Sequence, residues 1–418
     1  MEDHHNQPNS VITSLQQAHQ GFLELEKSNS VVRSQAIQYM AEGLQDALQE
    51  VLEANTLDLE MSREMAVSEL VLDWLKLTPE RLQTTITVLK RLSKSSDPIQ
   101  RLMNAPYQLD QSQTYCQLMS LGVVAFIYEA FPELGAIAAA FCLKTGNSII
   151  LRGCSEASHS NQVISQILQN ALEKAHLPIN CIEFLPCDQG CSIQDLLRED
   201  QYLNLVIPYG RPSLIQQVTQ MSTAPVLKTA MGNCYLYWSS SGDLELARWM
   251  IFDSHSSQPD QVNAIEKVLI SPHQKTSSLL RLLSGLQEKG FELRGDESLV
   301  AEFPEYFKPV QEKEWNTPYL RKIIAFKRVE NLEQAIAWMN QYSSSHADCL
   351  VTESYAESRQ FAKDIDSALV YINASPRFER NPKRGDAVFL GISNQKGNRR
   401  GLIGLDALTT LKQVVQGE

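Results

Sequence analysis

This sequence predicts two α/β units in succession, preceded by a helical shoulder. Three observations carry that expectation. From about Leu118, short runs of β-branched and aromatic residues alternate with stretches of helical periodicity. The alternation breaks once, at a polar loop, and then resumes; the first 100 residues show helical spacing only. Strands separated by helices of this length favour parallel sheets with right-handed crossovers.

The elements follow in order. From Ser30, read as an N-cap, Ala36, Met40, Leu44, Leu48, Val51 and Leu52 recur at helical spacing. A second helical stretch covers Ser68 to Leu75, and Thr78-Pro79-Glu80 starts a third with proline at its first position. LMSLGVVAFIYEAFP reads as strands. A helix through Ala136–Lys144 ends at Gly146, and Ser148–Arg152 reads as a buried strand. Next come a helix over 158–176, a strand over 182–185, a helix near 193–198 and a strand over 203–207. Helix 212–221 precedes strands around Val226 and over 234–238. A helix near 244–252 leads into DSHSSQPDQ, placed as a domain boundary. Beyond it lie helix 276–289, strand 323–326, helix 332–342, strand 349–351, helix 355–364 and strand 368–372. The stretch 377–400 is basic, aperiodic and read as a loop.

Composition narrows the classes. Of 418 residues 43% are hydrophobic, enough for sizeable cores, and 37 Lys and Arg against 49 Asp and Glu leave a net charge of −12. Phosphate-contacting nucleic-acid binders carry the opposite bias. The longest unbroken apolar run, Ala136 to Leu143, falls far short of the roughly 20 residues that span a bilayer. The start, MEDHHNQPNS, lacks the apolar segment of a signal peptide. A cytoplasmic protein with neither membrane nor nucleic-acid partners is expected. Eight cysteines in so long a chain read as buried reduced thiols, and the spacing of Cys181, Cys187 and Cys191 does not match a zinc site, so no metal is expected.

Motif chemistry is sparse. No G-x-G-x-x-G follows a strand and no phosphate-loop G-x-x-x-x-G-K-[ST] appears. Two strand-to-helix turns, Arg152-Gly153-Cys154-Ser155-Glu156 and Pro208-Tyr209-Gly210-Arg211-Pro212, are placed to hold anions. His255, among serines, reads as part of an exposed polar loop, and Asp364 with Asp366 reads as an ordinary connection.

Several segments resemble γ-glutamyl phosphate reductase (glutamate-5-semialdehyde dehydrogenase), a branch of the aldehyde dehydrogenase superfamily. They are LGVVAFIYEAFP (121–132), CLKTGNSIILRG (142–153), VIP-x-G (206–210), MGNCYLYW (231–238), HADCLVT (346–352), VYINASPRF (370–378) and GLIGLDALTT (401–410). LVLDWLKLTPERL (70–82) matches the family's N-terminal helices. The resemblance implies an aldehyde dehydrogenase-like α/β fold of two Rossmann-like domains and a small oligomerisation element. An NADP-binding-type domain would cover 1–250 and a catalytic-type domain 251–375. The 107–125 arm and part of 376–418 would build the oligomerisation element. In that family a thiol takes up the acyl group of γ-glutamyl phosphate and NADPH reduces the thioester to the semialdehyde, a step of L-proline biosynthesis.

The resemblance also exposes departures. The family's nucleophilic cysteine falls between a proline-led turn and Asn-x-x-Glu. Here the segment reads Gln258-Pro259-Asp260-Gln261-Val262-Asn263-Ala264-Ile265-Glu266, which puts Val262 at the nucleophile position beside Asn263 and Glu266. Valine has no lone pair, and removing a nucleophile typically costs ~10⁴–10⁶-fold in turnover. Glu133 stands where the family has the asparagine expected to hold the oxyanion, and a carboxylate there repels developing charge. Phe389 replaces the glutamate expected at the nicotinamide ribose, and Tyr209-Gly210-Arg211 replaces Arg-Gly-Gly. Relatives continue into a further strand beyond Gln413–Glu418, so the family's subunit pairing is not assured. Cys142 and Cys234 lie in segments that carry cysteine in active relatives, and read as structural.

Lys144, Arg152, Glu156 and Gly210 remain in the family's cofactor region, and Asn373, Ser375 and Arg377 near its substrate position. The expected function is therefore a reductase-like protein impaired in catalysis that still binds NADP(H) or an acidic metabolite. A homodimer or pairing with an active paralogue is the partner expected beside that ligand. The alternatives are an active NADP-dependent dehydrogenase and an interaction protein that keeps only the fold.

Overall fold

The computed structural model describes residues 10–108, 112–187, 192–256, 261–396 and 399–417. The chain forms two units: 1–229 with 380–390 and 402–418, and 230–379 with 391–401. The division falls after Thr229, not at the 253–261 loop. The Cys234–Trp238 strand pairs in parallel with both Ile265–Ile270 and Ala347–Val351, and that pairing assigns it to the second unit. The strand expected around Val226 reduces to a single bridge between Val206 and Val226.

The first unit is built on a four-stranded parallel sheet in the order Ile182–Phe184, Ser148–Arg152, Val123–Tyr128, Leu203–Tyr209. Helix Ser10–Leu25 lays Val11, Leu15 and Ala18 against one face. Helix Pro132–Lys144 is apolar on every face apart from Glu133 and Lys144 at its ends, and buries all thirteen residues. It packs against helices Ser30–Asp46 and Pro79–Lys94. The helical pattern that begins near Ser30 is interrupted at Ala47 and resumes as Leu48–Glu64. Asn29, not Ser30, caps it: its side-chain oxygen accepts from Val32 N at 2.9 Å. A separate antiparallel sheet joins Leu102–Asn104, Ser112–Ser120 and Thr409–Gly417, the last two registered from Thr409 opposite Ser120 to Gly417 opposite Ser112.

The second unit carries a seven-stranded sheet, all parallel: Lys308–Pro309, Glu292–Gly295, Ile323–Arg328, Ile265–Ile270, Cys234–Trp238, Ala347–Val351, Leu369–Ile372. Helices Leu244–Ser254 and Thr276–Glu288 cover one face, and Leu332–Tyr342 and Tyr355–Asp364 the other. Strands buried on both faces lack polar alternation. Ile265–Ile270 is such a strand, and it directly follows the polar loop, where the sequence showed no strand signal. His255 is not exposed: it is buried, its Nε2 lies 2.9 Å from the Ile265 carbonyl, and its ring meets Phe291 edge-on. Burial lowers its pKa, so the ring is neutral there. Among the described residues no helix is long and apolar enough to cross a membrane.

Candidate active site

In the second unit, Val262 sits just before strand Ile265–Ile270 and is fully buried. Its carbonyl accepts from Gly232 N at 2.9 Å and lies 2.8 Å from His346 Nε2. A carbonyl only accepts, so Nε2 carries the proton; Nδ1 lies 2.8 Å from Ser344 Oγ. Burial pushes the His346 pKa down to about 4, which keeps the ring neutral. A thiol does stand nearby: Cys234 Sγ is 3.3 Å from His346 Nε2. Burial raises its pKa well above the ordinary thiol value, and the adjacent nitrogen is already donating to a carbonyl. Neither condition for an activated thiolate is met.

The flanking residues are structural. Glu266 is fully buried and accepts three backbone N–H groups, from Asn233 at 2.8 Å, Tyr319 at 2.8 Å and Leu320 at 2.6 Å. It thereby fastens two loops to its strand and is not aimed at a substrate. Asn263 donates to the Pro376 carbonyl at 2.6 Å. Gln258, Pro259 and Asp260 lie outside the described residues. Asn373, at φ +54°, turns both ends of its amide on the Thr352 backbone, at 3.0 and 2.7 Å. Ser375 accepts from Arg377 N at 3.2 Å, and the exposed Arg377 reaches Asp253 at 3.5 Å. Val262, Asn263 and the 373–377 segment are thus gathered through Pro376, with Arg377 alone keeping a largely solvent-facing charge.

The first unit presents the cofactor-type turns at the C-terminal ends of its strands. At Gly210 (φ +152°) a Cβ would stand 2.6 Å from Glu129 Oε2, so glycine is required. Glu129 accepts from Arg211 N at 2.7 Å and pairs with the Arg211 guanidinium at 2.8 Å, filling the N-terminus of helix Pro212–Met221 with a carboxylate from the chain itself. Arg152 is buried at the end of its strand; Glu156, half-buried, accepts from Ser155 Oγ.

Two expectations here are corrected. Lys144 is buried and donates to Ser34 Oγ at 2.8 Å and the Ser93 carbonyl at 3.3 Å, so its ammonium ties helices together and is not available to a cofactor. Glu133 Oε1 is paired with Arg81, whose Nε lies 3.1 Å away, so its charge is balanced by a guanidinium within a helix contact, while its Oε2 is buried without a hydrogen-bond partner among the described residues. Phe389, half-buried, lies near Gly404; its N–H donates to the Arg380 carbonyl at 2.9 Å and its carbonyl accepts from the Arg380 guanidinium at 3.2 Å.

Beside these turns lies a cavity of about 590 Å³, bounded by Gly153–Ser155, helix Ser158–Lys174, strand Ile182–Phe184 and Met61 and Met65. Cys154 and Cys187 line it. Ala130 N donates to Cys154 Sγ, and burial pushes that thiol up to about 12. Glu183 also lines it, raised to about 7 by burial. Sequence reasoning missed Glu129, Glu183 and the Cys234–His346–Ser344 group. A lone carboxylate inside the apolar run 182–185 was the available signal for Glu183. Cys116, Cys142, Cys154, Cys181, Cys234 and Cys349 are free thiols, and Cys191 lies outside the described residues. Among the described residues no cluster of three or more His, Cys, Asp or Glu could hold a metal.

Comparison with known proteins adds whole-chain relationships. The chain is 55% identical over 408 residues, 98% of its length and 97% of the other, to γ-glutamyl phosphate reductase 2 of Synechocystis sp.. It is 40% identical to γ-glutamyl phosphate reductase of Gloeobacter violaceus, covering 96% of each chain. The crystal structure of γ-glutamyl phosphate reductase from Thermotoga maritima superposes with a TM-score of 0.89 at 33% identity over 98% of both chains. A propionaldehyde dehydrogenase from Rhodopseudomonas palustris, 12% identical over 97% of both chains with a TM-score of 0.70, shares the fold. No family model matches the chain.

Proposed function

The chain belongs to the γ-glutamyl phosphate reductase family and has its aldehyde dehydrogenase-like fold, and from that premise we propose that it binds the family's ligands while the thioester route is impaired. The single observation behind this reading is Val262: a fully buried isopropyl group stands at the nucleophile position, and the nearby Cys234 thiol is held protonated. A bound nicotinamide dinucleotide would supply hydride. Of the residues present, Gly153–Glu156 and the adjoining cavity offer it a polar, strand-end cradle. Arg377 offers an acidic substrate its charge. The ribbon of Ser112–Ser120 and Thr409–Gly417, with Leu411 and Val415 exposed, supports a second subunit as partner, of this chain or of an active paralogue.

The second reading is an active NADP-dependent glutamate-5-semialdehyde dehydrogenase of L-proline biosynthesis. Whole-length similarity supports it, more broadly than one position supports impairment. The reverse reaction, with glutamate semialdehyde, phosphate and NADP or NAD, separates the two. Impairment requires a rate at least ~10⁴-fold below an active relative assayed in parallel. A comparable rate establishes the active reading.

A further inference from the structure

We infer that the strand-end cavity of the first unit accepts the adenosine end of NAD(H) in preference to NADP(H), with Glu183 as the residue that rejects a 2′-phosphate. The inference rests on the cofactor reading above and departs from the family's expected NADP(H).

The wall of the cavity is neutral apart from one charge. Serines 155, 158 and 165 and glutamines 162, 166 and 169 supply hydroxyls and amides, and Met61, Met65 and Phe184 supply apolar surface. Among the described residues lining it there is no lysine, arginine or histidine. The one ionisable carboxylate, Glu183, has no hydrogen-bond donor from the protein among the described residues, and burial alone holds its pKa up at about 7. A carboxylate left in this condition is relieved by a ligand that brings hydroxyl donors, and a vicinal ribose diol brings two.

A 2′-phosphate meets the opposite situation. Above the Glu183 value of about 7 it carries its own negative charge into a half-enclosed space whose only charge is also negative, and such like-charge juxtaposition is strongly unfavourable. Proteins that take the 2′-phosphate place an arginine beside it. The nearest candidates are engaged elsewhere: Arg211 is held by Glu129 at 2.8 Å, and Arg152 is buried at its strand end and does not line the cavity. The location fits a nucleotide on general grounds, since open parallel sheets bind ligands beyond the carboxyl ends of their strands. Serines and glutamines around an apolar floor likewise suit an uncharged base and sugar.

The test is isothermal titration of the full chain with NADH and with NADPH about one pH unit above the Glu183 value of about 7 and at one ionic strength, repeated with Glu183→Gln. That substitution keeps size and hydrogen-bonding capacity while removing the charge, and circular dichroism checks that the variant folds. NADH is expected to bind at least about tenfold more tightly than NADPH, and Glu183→Gln to shrink that ratio to about threefold or less. NADPH binding as tightly as NADH, or more so, overturns the inference and leaves the cofactor reading standing. An undiminished NADH preference in Glu183→Gln overturns the assignment to this residue. Binding of neither at millimolar concentration overturns the cofactor reading and this inference together.

Discussion

The two candidate regions differ in what their polar groups are doing. Around Val262 the buried polar side chains hold backbone: Glu266 binds three N–H groups, Asn263 the Pro376 carbonyl, and His346 the Val262 carbonyl itself. At the strand ends of the first unit, Glu183 faces a cavity with no protein donor of its own among the described residues. A reaction centre needs a group held in reach of a substrate atom and chemically unsatisfied until that atom arrives. The first region lacks such a group once position 262 is valine. The second retains one, suited to recognition and not to bond making. The proposal of impaired chemistry with retained binding rests on this contrast, and on no global property of the fold.

The largest expected effect tests whether Glu266 is a scaffold. Glu266→Leu leaves three N–H groups without their acceptor and the neighbouring buried Lys267 without its counter-charge, and should lower unfolding stability by ~3–5 kcal/mol in urea titration. A variant of unchanged stability would instead mark Glu266 as a residue kept for chemistry. The next effect is in pH. His346, near 4 when folded against an ordinary 6.5, is protonated only in the unfolded state between those values, so its contribution to stability falls as pH drops through that window. Asp348, raised by burial to about 6 from 3.8, keeps its proton in the folded state across nearly the same window, so its contribution grows as pH drops. Each slope approaches ~1.4 kcal/mol per pH unit, and together they nearly cancel between pH 6 and 4. Asp348→Asn should uncover acid lability of roughly 3 kcal/mol over the window, and His346→Gln the reverse slope. Denaturation midpoints of both variants at several pH values decide it; parallel curves would refute the buried pair.

The same contrast explains what the sequence could disclose. The alternation after Leu118 and the Thr78-Pro79 start are local signals, and the structure keeps them as the Val123–Tyr128, Ser148–Arg152 and Leu203–Tyr209 strands and the Pro79–Lys94 helix. Strand Ile265–Ile270 escaped because Glu266 and Lys267, charged yet fully buried, interrupt its apolar run, and with it went the unit boundary at Thr229. Site residues were readable as positions but not as roles. Lys144 and Glu133 occupy segments where a cofactor or an oxyanion was expected, yet partners 50 or more residues away, Ser93 and Arg81 among them, claim their charges. A motif specifies which residue is present; its nearest charge is set by tertiary packing.

A smaller effect is expected at the turn. Gly210→Ala must move either the φ +152° backbone or the Glu129 carboxylate, at ~1–3 kcal/mol of stability. Thermal unfolding with and without Arg211→Ala shows whether the displaced carboxylate accounts for it. If it does, the two losses fall short of adding, because both variants break the same Glu129 contact.

The smallest effect is the sharpest on the comparison. Lys144 lies in the resemblance segment from which cofactor contact was expected, but its ammonium lies inside a helix contact with Ser34 and Ser93. Lys144→Met keeps the length and apolar stem of the side chain. It exchanges a desolvated charge, whose pKa burial already lowers, for packing, so stability should change by no more than about 1 kcal/mol. Dinucleotide affinity should stay within about twofold of the natural chain, because nothing at the strand-end cavity is touched. A large loss of affinity with stability intact would return Lys144 to the ligand and place the binding surface on the far side of the Pro132–Lys144 helix, away from Glu183.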